Sequence, residues 1–79
     1  MYVTDDDMNV IIKKANDDYT NSKGTLRFGQ SLWNAASDYF KDKKSVEDNN
    51  ELEAIRGTND DPFYNDAHIQ AFLNKLQNI

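Results

Sequence analysis

Apolar residues along this chain recur at helical spacing. Met8, Ile11, Ile12, Ala15 and Tyr19 stand at i, i+3, i+4, i+7 and i+11, one stripe along a helix. Thr4 precedes them as an N-cap. Asp5, Asp6 and Asp7 fill the first turn, where unpaired N–H groups and the helix dipole favour negative charge. Ser22-Lys23-Gly24 ends the segment, with Gly24 suited to the left-handed residue after a last turn. A second helix begins near Thr25. Its Leu26, Phe28, Leu32, Trp33, Ala35, Ala36, Tyr39 and Phe40 form a broad apolar face, and Lys41-Asp42-Lys43-Lys44 closes it with mostly positive charge, as the dipole prefers at a C-terminus. Gly29 inside it costs ~1 kcal/mol relative to Ala. Either a close approach by a neighbouring element or a slow helix start accounts for it.

Residues 45–50 are polar and read as a loop or an irregular first turn. Asn50 with Glu53 three residues later reads as a capping box for a short third helix carrying Leu52 and Ile55; Ser45 with Asp48 is the alternative start. Gly57 follows Arg56 where a helix C-terminus wants it. The cluster Thr58-Asn59-Asp60-Asp61-Pro62 is a turn in which Asp61 caps and Pro62 opens a single helical turn through Phe63 and Tyr64. Asn65 or Asp66 then caps a final helix, with Ile69, Phe72, Leu73 and Leu76 as its stripe. No segment alternates as a strand would. The expected fold is all-α, a compact bundle of about four short helices forming a single domain over residues 1–79.

Composition bounds this picture. The chain has 79 residues, enough for one core. A domain this small buries only about 60% of its unfolded surface. The four Phe, four Tyr and single Trp offset that shortage, each removing ~150–250 Å² from water when buried. The fold is thus expected to stand as a monomer or a weak homodimer. Cysteine is absent, which removes disulfides, thiolate nucleophiles and Cys-type zinc sites together. No apolar run exceeds three residues, as in Val10-Ile11-Ile12, far short of the ~20 residues a membrane span needs. Met1-Tyr2-Val3-Thr4 followed by three aspartates does not read as a signal peptide. The expectation is a cytoplasmic protein with no membrane association.

The search for chemistry is nearly empty. His68 is the only histidine, and a lone His near the start of an amphipathic helix reads as surface or capping. Three scattered glycines build neither a phosphate loop nor a dinucleotide fingerprint, and none of them fits the calcium-loop pattern. The expectation is therefore no catalytic residue, no cofactor and no metal: not an enzyme. Lys41, Lys43 and Lys44 form the main basic cluster, but nine Lys plus Arg stand against fourteen Asp plus Glu, a net charge of −5. That balance opposes phosphate binding. A nucleic-acid-associated module, or an acidic inhibitor of a nucleic-acid enzyme, is the alternative to a protein-binding role.

Two stretches exceed ordinary helix-making. One is Arg27-Phe28-Gly29-Gln30-Ser31-Leu32-Trp33-Asn34-Ala35; the other runs from Arg56-Gly57 through Asp61-Pro62-Phe63-Tyr64 to Asp66. Arg27, Gln30 and Asn34 share one helix face and are suited to satisfy the backbone of a neighbouring turn. Arg27 to Asp61 is the expected charge-assisted bond. In that reading the set is internal bracing, with Phe63 and Tyr64 plugging the core between helices. In the other reading Trp33, Phe63 and Tyr64 stay partly exposed as an interaction patch, since Trp, Tyr and Arg are the usual interface anchors. The candidate residues are Arg27, Gln30, Trp33, Asn34, Asp61, Phe63 and Tyr64.

Together the two stretches resemble a family of small, mostly uncharacterised bacterial and phage proteins. Its members carry an Arg-x-Gly-Gln-x-x-x-Asn-Ala helix and an Asp-(Pro)-Phe-Tyr turn before a final helix. Arg27, Gly29, Gln30, Asn34 and Ala35 match the first motif, and Asp61, Phe63 and Tyr64 match the second. The resemblance covers roughly residues 5–76. It implies a small helical domain and no known activity. With the missing catalytic groups, it leads to the expectation of a protein-binding accessory or regulatory protein of phage or mobile-element type.

Overall fold

Backbone capping sets out the helices of this chain, whose computed structural model describes residues 3–78. Helix α1, Asp5–Asn21, opens on a complete capping box. The Asp7 N–H donates to Thr4 Oγ1 (3.1 Å) and the Thr4 N–H donates to Asp7 Oδ2 (2.9 Å), so two otherwise orphaned donors are satisfied reciprocally. Lys23 (φ 54°) and Gly24 (φ 89°) then turn the chain back, and Gly24 serves the purpose its type suggests. Tyr2, one of the aromatics, lies outside the described residues.

Helix α2 spans Phe28–Lys43, three residues later than the pattern around Thr25 suggests. Arg27 occupies the cap position but has no side-chain acceptor to offer. Gln30 supplies one instead, its Oε1 accepting the Arg27 N–H at 2.9 Å. α1 and α2 pack antiparallel. Asp7, at the start of α1, meets Tyr39 and Lys44 at the far end of α2, while Tyr19 lies edge-on to Phe28 near its beginning, 5.7 Å between centroids.

Helix α3, Val46–Glu53, corrects the reading of residues 45–50 as a loop. Its cap is Ser45, the alternative start, whose Oγ accepts the Asp48 N–H at 3.2 Å, and not Asn50. The preceding turn is braced by the Asn49 amide, which donates to the carbonyls of Phe40 and Ser45, each at 2.9 Å. Polar residues thus make the corner between α2 and α3 without apolar help, so it left no hydrophobic signature. Leu52 and Ile55 are buried as the stripe requires. Gly57 takes a left-handed φ of 77° in the turns beyond the helix.

Pro62 opens no helical turn. It is fully buried in an extended and bent segment, where the Asn65 N–H donates to the Pro62 carbonyl at 3.3 Å. Asn65 caps a 3₁₀ turn over Asp66–His68, its Oδ1 accepting the Ala67 N–H at 2.9 Å. That turn leads directly into helix α4, Ile69–Gln77. Phe72 and Leu76 from α4 join Ile11, Leu32, Phe40 and Leu52 as fully buried side chains. The radius of gyration is 11.6 Å, about the value a compact domain of this length takes. The architecture is a small all-α bundle of four helices, with no strand among the described residues.

Candidate functional site

The two motif stretches meet at the N-terminus of α2. Gly29, in its first turn, donates its N–H to Asp66 Oδ1 at 3.0 Å. Arg27 Nη1 donates to the same oxygen at 3.0 Å, and Nη2 donates to the Phe63 carbonyl. A carboxylate is thereby placed where the helix dipole and unpaired N–H groups favour it. Gly29 is required sterically as well. A Cβ there would overlap the Pro62 carbonyl oxygen and stand 2.5 Å from Asp66 Oδ1. The close approach inferred from the glycine is real, and it is made by a loop.

Asp61 does not pair with Arg27; the partner is Asp66. Backbone N–H groups already occupy the Asp61 carboxylate, from Gly57 to Oδ2 (2.7 Å) and from Phe63 to Oδ1 (2.8 Å). Its carbonyl meets His68 Nδ1 at 3.0 Å. A carbonyl can only accept, so His68 Nδ1 is the donor in this contact. Asp61 is buried, 4% exposed, and organises the loop from within. Asp66 reaches outward to α2 from the following turn.

On the outer side of this loop lies a cleft of about 230 Å³ lined by Trp33, Asn34, Arg56, Asp61, Phe63 and Tyr64. Five of the seven residues singled out in the sequence therefore share one cleft. Arg27 and Gln30 lie behind it, holding the loop and the helix start. Trp33 forms the floor and is itself buried, 4% exposed, its indole between Phe72 (5.5 Å between centroids) and the Arg56 guanidinium (5.5 Å from Cζ to the ring centroid). Phe63 is half-buried and edge-on to Tyr64 at 4.9 Å. Tyr64 does not plug the core: it is 78% exposed. Arg56 is the member that sequence reading missed, because its place before Gly57 reads as helix-end electrostatics. Glu53 holds it through Nε at 3.0 Å and Nη2 at 3.4 Å.

A second polar cluster joins α1 to α2. Lys44 Nζ bonds Asp7 Oδ2 at 2.8 Å, with the two side chains only 5% and 13% exposed, and the Tyr39 hydroxyl donates to Asp7 Oδ1. Burial works against the Asp7 charge. The hydrogen bonds from Lys44, Tyr39 and Thr4 outweigh it and hold the carboxyl well below the usual carboxylate range. Tyr39 is pushed up, mainly by that same bond to Asp7 and further by burial. The basic cluster at the end of α2 is correspondingly reduced: Lys44 is committed to Asp7, and Lys43 lies 3.6 Å from Asp42. Among the described residues no group of three or more His, Asp or Glu is placed to hold a metal ion, and no helix is long and apolar enough to cross a membrane.

Comparison of the chain with family models, curated proteins and solved structures gives no match.

Proposed function

We propose that this chain is a non-enzymatic protein-binding domain, an accessory or regulatory protein of the phage or mobile-element type its two motifs suggest, acting in the cytoplasm as a monomer or weak homodimer. The observation that carries the reading is Tyr64. A large aromatic side chain is held 78% exposed at the rim of a cleft, on a loop braced from behind by Asp61, Arg27 and Asp66. Exposed aromatics beside an arginine on a rigid support are the usual anchors of protein interfaces, and a braced loop loses little freedom on binding. The engagement of Lys44 by Asp7, with the net charge of −5, favours a protein partner over a phosphate backbone.

The test is an affinity capture from host lysate with wild-type protein and Tyr64→Ala side by side. Tyr64 is 78% exposed, so the variant is expected to melt within about 2 °C of wild type while losing the captured partner. Equal capture by both proteins at equal stability removes the reading.

A further inference from the structure

Acidic side chains in and beside the cleft loop have cationic partners, with one exception. Glu53 holds Arg56, Asp66 holds Arg27, and Asp60 stands 3.9 Å from Lys75. Asp61 has no cation within 4.0 Å among the described residues. The N–H groups of Gly57 and Phe63 orient its carboxylate and leave its charge in place. They occupy two of the roughly four acceptor positions a carboxylate offers. A buried charge without a counter-charge is costly, and Asp61 is 4% exposed on the wall of the cleft.

The other walls are aromatic. Trp33 is the floor, and the rings of Phe63 and Tyr64 stand 70° apart at its side. Aromatic faces attract cations, tryptophan most strongly, and Trp33 already takes one: Arg56 Cζ lies 5.5 Å from its ring centroid. That guanidinium is held otherwise only by Glu53, in a pair whose side chains are 60% and 49% exposed. Such pairs contribute little, so Arg56 is readily displaced. Arg56 and Glu53 offset each other, and Asp61 leaves the cleft with one negative charge in excess.

We propose that the cleft receives a cationic side chain, an arginine on a basic segment of a partner protein, which enters between Asp61 and the aromatic rings and competes with Arg56 for them. The inference rests on the protein-binding reading above and names what that site recognises. A guanidinium is planar, stacks on aromatic faces and pairs with a carboxylate, so one group suits both kinds of wall. A volume of about 230 Å³ lies below the roughly 300–1,000 Å³ of sites that enclose a complete ligand, and suits a single side chain. The net charge of −5 attracts a basic segment before contact.

The experiment titrates the intact protein with the capped peptide acetyl-Gly-Arg-Gly-amide and with its citrulline counterpart, the uncharged isostere. The readout is the emission and the indole N–H signal of Trp33, the single tryptophan. The arginine peptide is expected to give a saturable change, with a Kd about tenfold or more below that of the citrulline peptide and rising with salt. Asp61 also braces its loop, so Arg56→Gln carries the test in place of an Asp61 variant. Removing the resident cation is expected to tighten binding about threefold or more, whereas it would weaken a site for an anion or a main-chain carbonyl. Lys13→Gln removes the same charge from the exposed face of α1 and is expected to leave Kd within about twofold. No saturable change, equal affinity for the citrulline peptide, weaker binding by Arg56→Gln, or an equal gain from Lys13→Gln each overturns the proposal. A lysate partner lost with Tyr64→Ala but undisturbed by excess arginine peptide removes this inference alone and leaves the protein-binding reading in place.

Discussion

At Gly29 two local rules oppose each other. Alanine is the better helix former by ~1 kcal/mol, yet its methyl has no space beside the Pro62 carbonyl and the Asp66 carboxylate. Overpacking of this kind costs typically 1–3 kcal/mol. Because the obstructing atom is backbone in a fully buried proline segment, sterics win. Gly29→Ala is expected to lower stability by up to about 2 kcal/mol net, a fall of up to roughly 15 °C in Tm for a domain this size, measured by thermal unfolding; a stabilised variant contradicts it. Ser31 presents the reverse case. It is fully buried, and its hydroxyl has no partner among the described residues, so Ser31→Ala removes an unsatisfied group and adds helix propensity. An increase of about 0.5–1 kcal/mol is expected in denaturant titration. These two positions differ in legibility. A glycine inside a helical pattern announces a close neighbour without naming it. A buried serine among apolar residues announces nothing.

Helix elements were legible where apolar stripes are regular. Met8 to Ala15 and Ile69 to Leu76 place α1 and α4 correctly, and Thr4 marks the start of α1 to the residue. The α2–α3 corner was misread because its bonds run from Asn49 to the Phe40 and Ser45 carbonyls, contacts that leave no periodicity in sequence. The same limit applied to the cleft. Five of the seven candidate residues line it, but the pairing of Arg27 with Asp61 is wrong by five positions, since spacing does not reveal which of the two aspartates faces α2. The α1–α2 junction carries its own pH dependence. Asp7 has a depressed pKa in the folded state. Its contribution is therefore fully present above the unfolded value of about 3.9 and is lost as pH falls toward the lower folded value. Asp7→Asn leaves the Lys44 ammonium, 5% exposed, without its counter-charge, and the expected cost near neutrality is about 2–3 kcal/mol. The gap between wild type and Asp7→Asn in chemical denaturation should be constant above about pH 5 and narrow below about pH 4. A gap independent of pH assigns the effect to packing instead.

Across the whole molecule, α4 and the loop before it are fastened to α2 by aromatic packing of Trp33 on Phe72 and by the Arg27–Asp66–Gly29 group. The ion pair itself is 41% and 46% exposed and is screened accordingly. Backbone satisfaction therefore carries more of the effect than Coulomb attraction. Arg27→Ala and Asp66→Ala are each expected to cost about 1–2 kcal/mol. Their double-mutant cycle, which isolates the ion pair from the backbone bonds each makes separately, should give a coupling of no more than about 0.5–1 kcal/mol, falling as salt is raised while the single-variant costs change little. A coupling as large as either single-variant cost reverses that ranking.

First-turn amides of a helix ordinarily lack an acceptor and exchange freely with solvent. The Gly29 amide is held instead by a carboxylate 37 residues further along the chain. Its deuterium uptake is consequently a clock for one event, the lifting of the Pro62–Asp66 segment away from α2. In native conditions the protection factor of that single N–H gives the free energy of this local opening, separately from global unfolding, which the amides in the middle of α2 record.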